Sequence, residues 1–384
     1  MDAGSSSAHE AVGPPSFGEA RGRRQKARAA GLDPDYWYAV AYDKAVAPGR
    51  SVEVRFWDRS IALYRGRDGV LRALENRCAH RQLALTLGEV TGCHLTCTYH
   101  GWTYDGDGRV VHYAHDLFGR PRPEVRIRSY PVTSRYGLIW IFPGDPRLAG
   151  QRGVPHLPEL DGGSAWTRMD LSYDWSAHHS VVLENFNDLA HEYLHRKYQA
   201  FWDARLADHA SSGDTVRTRY HVSIGNKPVV GWILRHVQLK AEVIEMTYDY
   251  PYQLTEVGDR IRFRAFFLPT SPTTTRVFIV LSCQLTSFHC GPVRFGVPRP
   301  LARALTGVSR SVLLDRVFSQ DGAAVTWEQS GYEAHHDAPS LELNPSMALF
   351  QDLIIRKWAD TLSRPPVRTP RNGRAPTPET DSGR

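Results

Sequence analysis

Two short segments hold residues whose types and spacing suit metal chemistry. In Arg77–Trp102, Cys78 and His80 form one pair and Cys97 and His100 another, with sixteen residues between His80 and Cys97. Each pair offers one thiolate and one imidazole from a short loop. Such a set fits a tetrahedral zinc site, or a [2Fe–2S] cluster in which two His replace two Cys on one iron. Zinc fingers pair Cys with Cys and His with His, so the mixed loops favour the cluster. Cys93 has no His at a loop spacing and reads as structural.

The second segment is Glu184–His195, in which His191 and His195 stand four apart. On a helix that spacing puts both imidazoles on one face, with Asp188 beside them. Two His and one carboxylate make the facial set that leaves positions open on non-haem Fe(II). Two unligated histidines on an amphipathic helix would give the same pattern. Asp188 lies too close along the chain to complete the set easily, so the third ligand must come from elsewhere. Asp321 falls on an apolar stripe with Leu314, Val317 and Phe318, where an unpaired carboxylate is costly. Its competing role is a helix cap before Gly322. Glu328 and Asp352 are the reserves.

The elements that would position these residues follow from local patterning. Ser51–Trp57, Ala62–Arg65, Leu71–Leu74 and Gly137–Phe142 read as short strands, and Arg67-Asp68-Gly69 and Asp105-Gly106-Asp107-Gly108 as hairpin turns. Residues 32–146 therefore predict an all-β domain with the Cys/His loops at its tips. A linker at 147–165 leads to a second domain, 166–362, with helix from about Ser180 and strands over 215–290. In 260–267 apolar residues alternate with Arg260, Arg262 and Arg264, predicting one buried and one wet face. Helices are predicted at Ser311–Ser319 and around Phe350–Trp358, the latter started by Asn344-Pro345-Ser346. The fold class is α+β: an all-β domain, then an antiparallel sheet with helices against it.

Residues 1–31 and 363–384 have little apolar pattern and are expected to be disordered tails. The net charge is +6, of which +2 lies in the first tail and +3 in the second. The folded part is thus near neutral, which argues against a nucleic-acid partner. The five cysteines do not make a disulfide framework. Nothing reads as a signal peptide or a membrane span, so a cytoplasmic protein with no membrane association is expected. No dinucleotide-binding fingerprint appears.

Taken together, Cys78-x-His80, Cys97-x2-His100, Asn185-x2-Asp188-x2-His191, His195 and Gln320-Asp321 resemble the oxygenase component of Rieske non-haem iron oxygenases, the aromatic ring-hydroxylating dioxygenase-like family. The resemblance spans roughly residues 34–362. One departure is that three residues separate the two iron histidines, where many members have four. The resemblance implies a Rieske [2Fe–2S] domain bound through Cys78, His80, Cys97 and His100, and a helix-grip catalytic domain holding Fe(II) through His191, His195 and Asp321. It implies a homotrimeric ring in which the cluster of one chain faces the iron of the next. Asp188 would then bridge His191 to the partner's His100, and Asn185 would stand with it as a catalytic residue. Electrons would come from a ferredoxin and/or an NAD(P)H-dependent reductase. The expected reaction is oxidation by O2 of an apolar aromatic or alicyclic small molecule: hydroxylation, demethylation, desaturation or cyclisation. Trp202, Tyr220, Trp232 and Phe267 are candidates for the pocket wall. The alternative is a non-catalytic Rieske electron-transfer protein with a ligand-binding grip domain, for which the grouping of His191, His195 and Asp321 would have no purpose.

Overall fold

The computed structural model describes residues 13–115, 117–161, 166–198, 201–224, 243–284, 287–290, 293–296, 307 and 310–365. Trp232 lies outside these residues.

The first part is built from three small antiparallel sheets. One joins Arg50–Phe56, Arg59–Arg65, Leu71–Glu75 and Ser129–Tyr130. A second joins Glu89–Thr91, His94–Thr96, Thr103–Tyr104 and Val110–His112; the Cys97–His100 loop joins its second and third strands, and the Cys78–His80 loop follows Leu71–Glu75 of the first sheet. The apolar run seen in the sequence becomes the middle strand, Leu138–Ile141, of the third, between Tyr38–Tyr42 and Val132–Arg135. This last sheet fuses the two halves of the chain. Trp140, fully buried, meets Phe266 edge-on at 4.9 Å between ring centroids.

The second part is a seven-stranded antiparallel sheet in the order Thr167–Trp175, Thr274–Cys283, Ile261–Ser271, Tyr252–Val257, Val243–Asp249, Thr215–Ile224, Phe201–Ser212. Three helices pack against it: His179–Asn187, Asp315–His335 and Pro345–Ser363. Asn344 caps the last of them, its side chain accepting from Ser346 N at 3.1 Å, with Pro345 at the first turn. The α+β expectation holds.

Two readings need correction. Residues 23–29, expected to be disordered, form a helix, Arg23–Ala29, whose Arg28 is buried among the other helices. Composition hid it because its anchors are one Arg and two small residues, Ala27 and Ala30, rather than an apolar stripe. Arg264 was expected on a wet face but is buried, forked onto Glu159 at 2.8 and 3.1 Å. The Pro158–Asp161 turn covers that face and supplies the carboxylate.

Candidate metal centres and cavity

The four cluster candidates converge. Cys78 and Cys97 are buried, and the His80 and His100 ring centroids lie 4.4 Å apart. Burial raises the Cys97 thiol, against the pull of the Tyr99 and His100 backbone N–H groups aimed at it. His80 stacks on Trp102 at 4.8 Å and 6°, and its Nδ1 is buried with no hydrogen-bond partner among the described residues. An orphaned ring nitrogen beside two buried thiols fits a metal ligand. Gly101, at φ 65°, turns the second loop where a Cβ would strike Ala114. Tyr104 holds the first loop: its hydroxyl accepts from Ala79 N at 2.9 Å and lies 3.2 Å from Cys78 Sγ. Hydrogen bonds to cluster sulfur tune potential.

The second set also assembles, by a different route from the one expected. The His179–Asn187 helix stops at Asp188, whose φ −106° and ψ 102° are extended. Its carboxylate accepts from Ala190 N at 3.0 Å and so starts a separate tight turn, Leu189–Tyr193. His191 and His195 are therefore not on one regular α-helix, yet their ring centroids come within 5.2 Å. The carboxylate arrives from the Asp315–His335 helix. Asp321 lies well inside that helix, which excludes the capping role. Gly322 permits the approach, since a Cβ there would sit 2.6 Å from Trp175 Nε1.

Asp321 Oδ1 stands 3.1 Å from His195 Nε2 and 3.5 Å from His191 Nε2. The three ligand atoms lie within 4.8 Å of one another. The His195 ring is steered by its other nitrogen, with Nδ1 donating to Gln320 Oε1 at 3.1 Å. Both Nε2 atoms face a buried carboxylate, the arrangement a 2-His-1-carboxylate iron site requires. Burial lowers the pKa of His191. For His195 burial is the largest single influence, but the Asp321 carboxylate and the Gln320 acceptor together outweigh it and raise the pKa. The reserves are otherwise engaged: Glu328 pairs with Arg28, and Asp352 with Arg23.

The triad lines a cavity of about 280 Å³ between the sheet and the Asp315–His335 helix. Its wall is apolar, with Phe186, Phe263 and Phe318 prominent. Asn185 and Thr255 are the only polar lining residues besides the triad among the described residues.

A family profile, the Rieske [2Fe-2S] domain, matches residues 36–117, and a second, the vanillate O-demethylase oxygenase C-terminal domain, matches 175–347. The 4beta-methylsterol monooxygenase of Methylococcus capsulatus is 39% identical over 338 residues, covering 88% of this chain and 91% of that protein. The chain belongs to the Rieske non-haem iron oxygenases. The dicamba O-demethylase oxygenase component of Stenotrophomonas maltophilia is 36% identical over 169 residues, 42% of this chain and 47% of that one. The crystal structure of dicamba monooxygenase bound to dicamba superposes with a TM-score of 0.69 at 21% identity, over 87% of this chain and 100% of that one. The protein is thus an oxygenase whose cofactors are a [2Fe–2S] cluster and a mononuclear iron, and it works with a separate electron donor.

Some features of this oxygenase were not anticipated. Trp202, Tyr220 and Phe267 do not line the cavity. Tyr220 lies in a small core under the histidine turn and donates to Asn187 O at 3.0 Å. Phe267 packs edge-on against Phe186. Gln320 and Tyr104 went unassigned because polar neighbours of ligands carry no spacing signal of their own. Among the described residues no helix is long and apolar enough to cross a membrane.

Proposed function

We propose that this oxygenase hydroxylates a methyl group on an apolar, uncharged alicyclic molecule of the methylsterol kind. The cavity carries this reading: charge on its described wall is confined to the three residues proposed as iron ligands. A carboxylate or sulfonate substrate buried there would lack a counter-ion, and that is expensive. At about 280 Å³ the space sits near the small end of organic-ligand pockets, suited to the reacting end of a larger skeleton. Similarity to a methylsterol oxygenase along most of both chains adds support. The balance is one C–H bond replaced by C–OH, with O2, two electrons and two protons consumed and one water released.

His191, His195 and Asp321 would hold ferrous iron, which when bound would supply the activation of dioxygen. The protein's own work is placement. Phe186, Phe263 and Phe318 exclude water and hold the substrate's apolar face, while Gln320 fixes the His195 imidazole. Cys78, His80, Cys97 and His100 hold the cluster. The oxygenase works as a head-to-tail trimer, with Asp188 linking His191 to His100 of the partner subunit. Exposed apolar side chains support this: Tyr99 and Phe118 in the cluster-bearing part, and Tyr193 between the two triad histidines. A cleft at the first cluster loop, lined by Arg59, Arg77, Arg126 and Arg128 against Asp58 and Glu75, suits an acidic ferredoxin or reductase.

The test is oxygen uptake by the loaded enzyme with a reductase system, using a methylated sterol and two aromatic acids, dicamba and vanillate. The reading predicts uptake coupled to an alcohol product with the sterol. Coupled turnover confined to the aromatic acids would overturn it.

A further inference from the structure

Thr255 is a hydroxyl on an apolar floor. It sits in the Tyr252–Val257 strand, where Gln253, Thr255 and Val257 share one face. Directly across the sheet it pairs with Met246 on one side and Phe263 on the other, and both line the cavity with it. Thr255 is only 8% exposed. A buried hydroxyl among apolar neighbours is costly unless it is bonded.

Its one side-chain bond among the described residues has a fixed direction, set by a chain of amides. The Leu183 backbone carbonyl can only accept, so it takes a hydrogen from Asn187 Nδ2 at 2.9 Å. The same nitrogen gives its second hydrogen to Gln253 Oε1 at 2.8 Å. Gln253 must then turn its NH2 group the other way, and Nε2 donates to Thr255 Oγ1 at 3.3 Å. Thr255 is thereby committed as an acceptor within the protein, and its own proton remains to be given. No acceptor for it occurs among the described residues. The chain begins on the helix that leads to Asp188 and His191, so the hydroxyl is held in fixed relation to the triad.

We infer that Thr255 is a specificity-determining residue whose hydroxyl donates a hydrogen bond to an uncharged oxygen, a hydroxyl or carbonyl, on the substrate skeleton. The inference rests on the apolar-substrate reading above and adds the single polar point by which such a substrate is oriented. A site built to bond an oxygen rejects the analogue lacking it, because its own polar group is left unpaired.

The experiment compares a 4-methylsterol bearing its ring hydroxyl, the corresponding ketone and the deoxy hydrocarbon. Binding is measured by calorimetry and turnover by product formation, in the wild-type holoenzyme, Thr255→Val and Thr255→Ser. Wild type is expected to prefer both oxygenated substrates over the hydrocarbon by about tenfold or more. Thr255→Val should bring that ratio close to one, chiefly through KM, and Thr255→Ser should restore it. A ratio unchanged in Thr255→Val overturns the inference, whatever the enzyme hydroxylates. Tighter, Thr255-dependent binding of the oxygenated compounds without turnover would uphold Thr255 and sink the methylsterol reading. Absence of binding by all three would overturn both.

Discussion

Arg28 grips Glu184 with both guanidinium nitrogens, at 2.6 and 2.7 Å, and reaches Glu328 at 2.8 Å. One residue of the N-terminal helix thus ties the helix that leads into the histidine turn to the helix that carries Asp321. Burial opposes its charge, but the two carboxylates raise its pKa above the usual value. Removing one member of a buried pair leaves the other charge uncompensated. Arg28→Ala should therefore cost about 3–5 kcal/mol in urea unfolding, and Arg28→Lys less. Deleting residues 1–30 should destabilise the enzyme in the same way, and an unchanged unfolding midpoint would count against this account.

His178 and His179 lie buried beside that network, with His179 Nε2 donating to Ala30 O at 2.8 Å. Burial chiefly, then the charge of Arg28, pushes His179 down to about 4, and His178 is lowered as well. In the unfolded chain each takes a proton near pH 6.5. Between about pH 6.5 and 4 the unfolded state binds more protons, so stability falls as pH falls, by at most about 1.4 kcal/mol per unit for each histidine. Above pH 6.5 the contribution is flat. His179→Gln should reduce the slope of urea midpoint against pH in that window, and equal slopes would contradict the buried neutral assignment.

Gln320 orients His195 without touching metal itself. Gln320→Leu should weaken mononuclear iron binding by about 10–100-fold in a chelator competition, because the ring loses the acceptor that fixes it. The visible spectrum of the cluster should not change. Gln320→Glu, which keeps an acceptor, should retain most of the affinity.

Asp188 points its carboxylate at Ala190 N and, at 2.9 Å, at Asn344 Nδ2 rather than into the triad of His191, His195 and Asp321. Asp188→Asn should accordingly keep both the cluster and the mononuclear iron. Turnover should nevertheless fall steeply, even in a single-turnover experiment with pre-reduced enzyme, if the carboxylate links the two centres across subunits. Full single-turnover activity would rule out that link.

The grouping of the candidate residues was legible because metal chemistry demands residue types at short, countable spacings, and strands such as Val243–Asp249 were legible because one face is buried and the other is not. The break at Asp188 was hidden: a helix-compatible spacing also suits two histidines on a tight turn, and only the side-chain cap at Ala190 decides between them. Asp321 could be singled out as a carboxylate on an apolar stripe, but Gly322 marks no turn: the helix runs on past it, and the glycine is there because Trp175 fills the space a side chain would need. The roles of Arg28 and of the Asn187–Gln253–Thr255 chain depend on partners far away in sequence. No local pattern could announce them.

If His191, His195 and Asp321 hold an iron distinct from the cluster of Cys78, His80, Cys97 and His100, removing the Asp321 carboxylate empties one site and spares the other. Iron analysis and visible spectroscopy of purified Asp321→Ala beside wild type decide this. The variant is expected to keep its cluster iron and spectrum, lose the mononuclear iron and fail to turn over. A variant that retains its full iron content and hydroxylates substrate would contradict it.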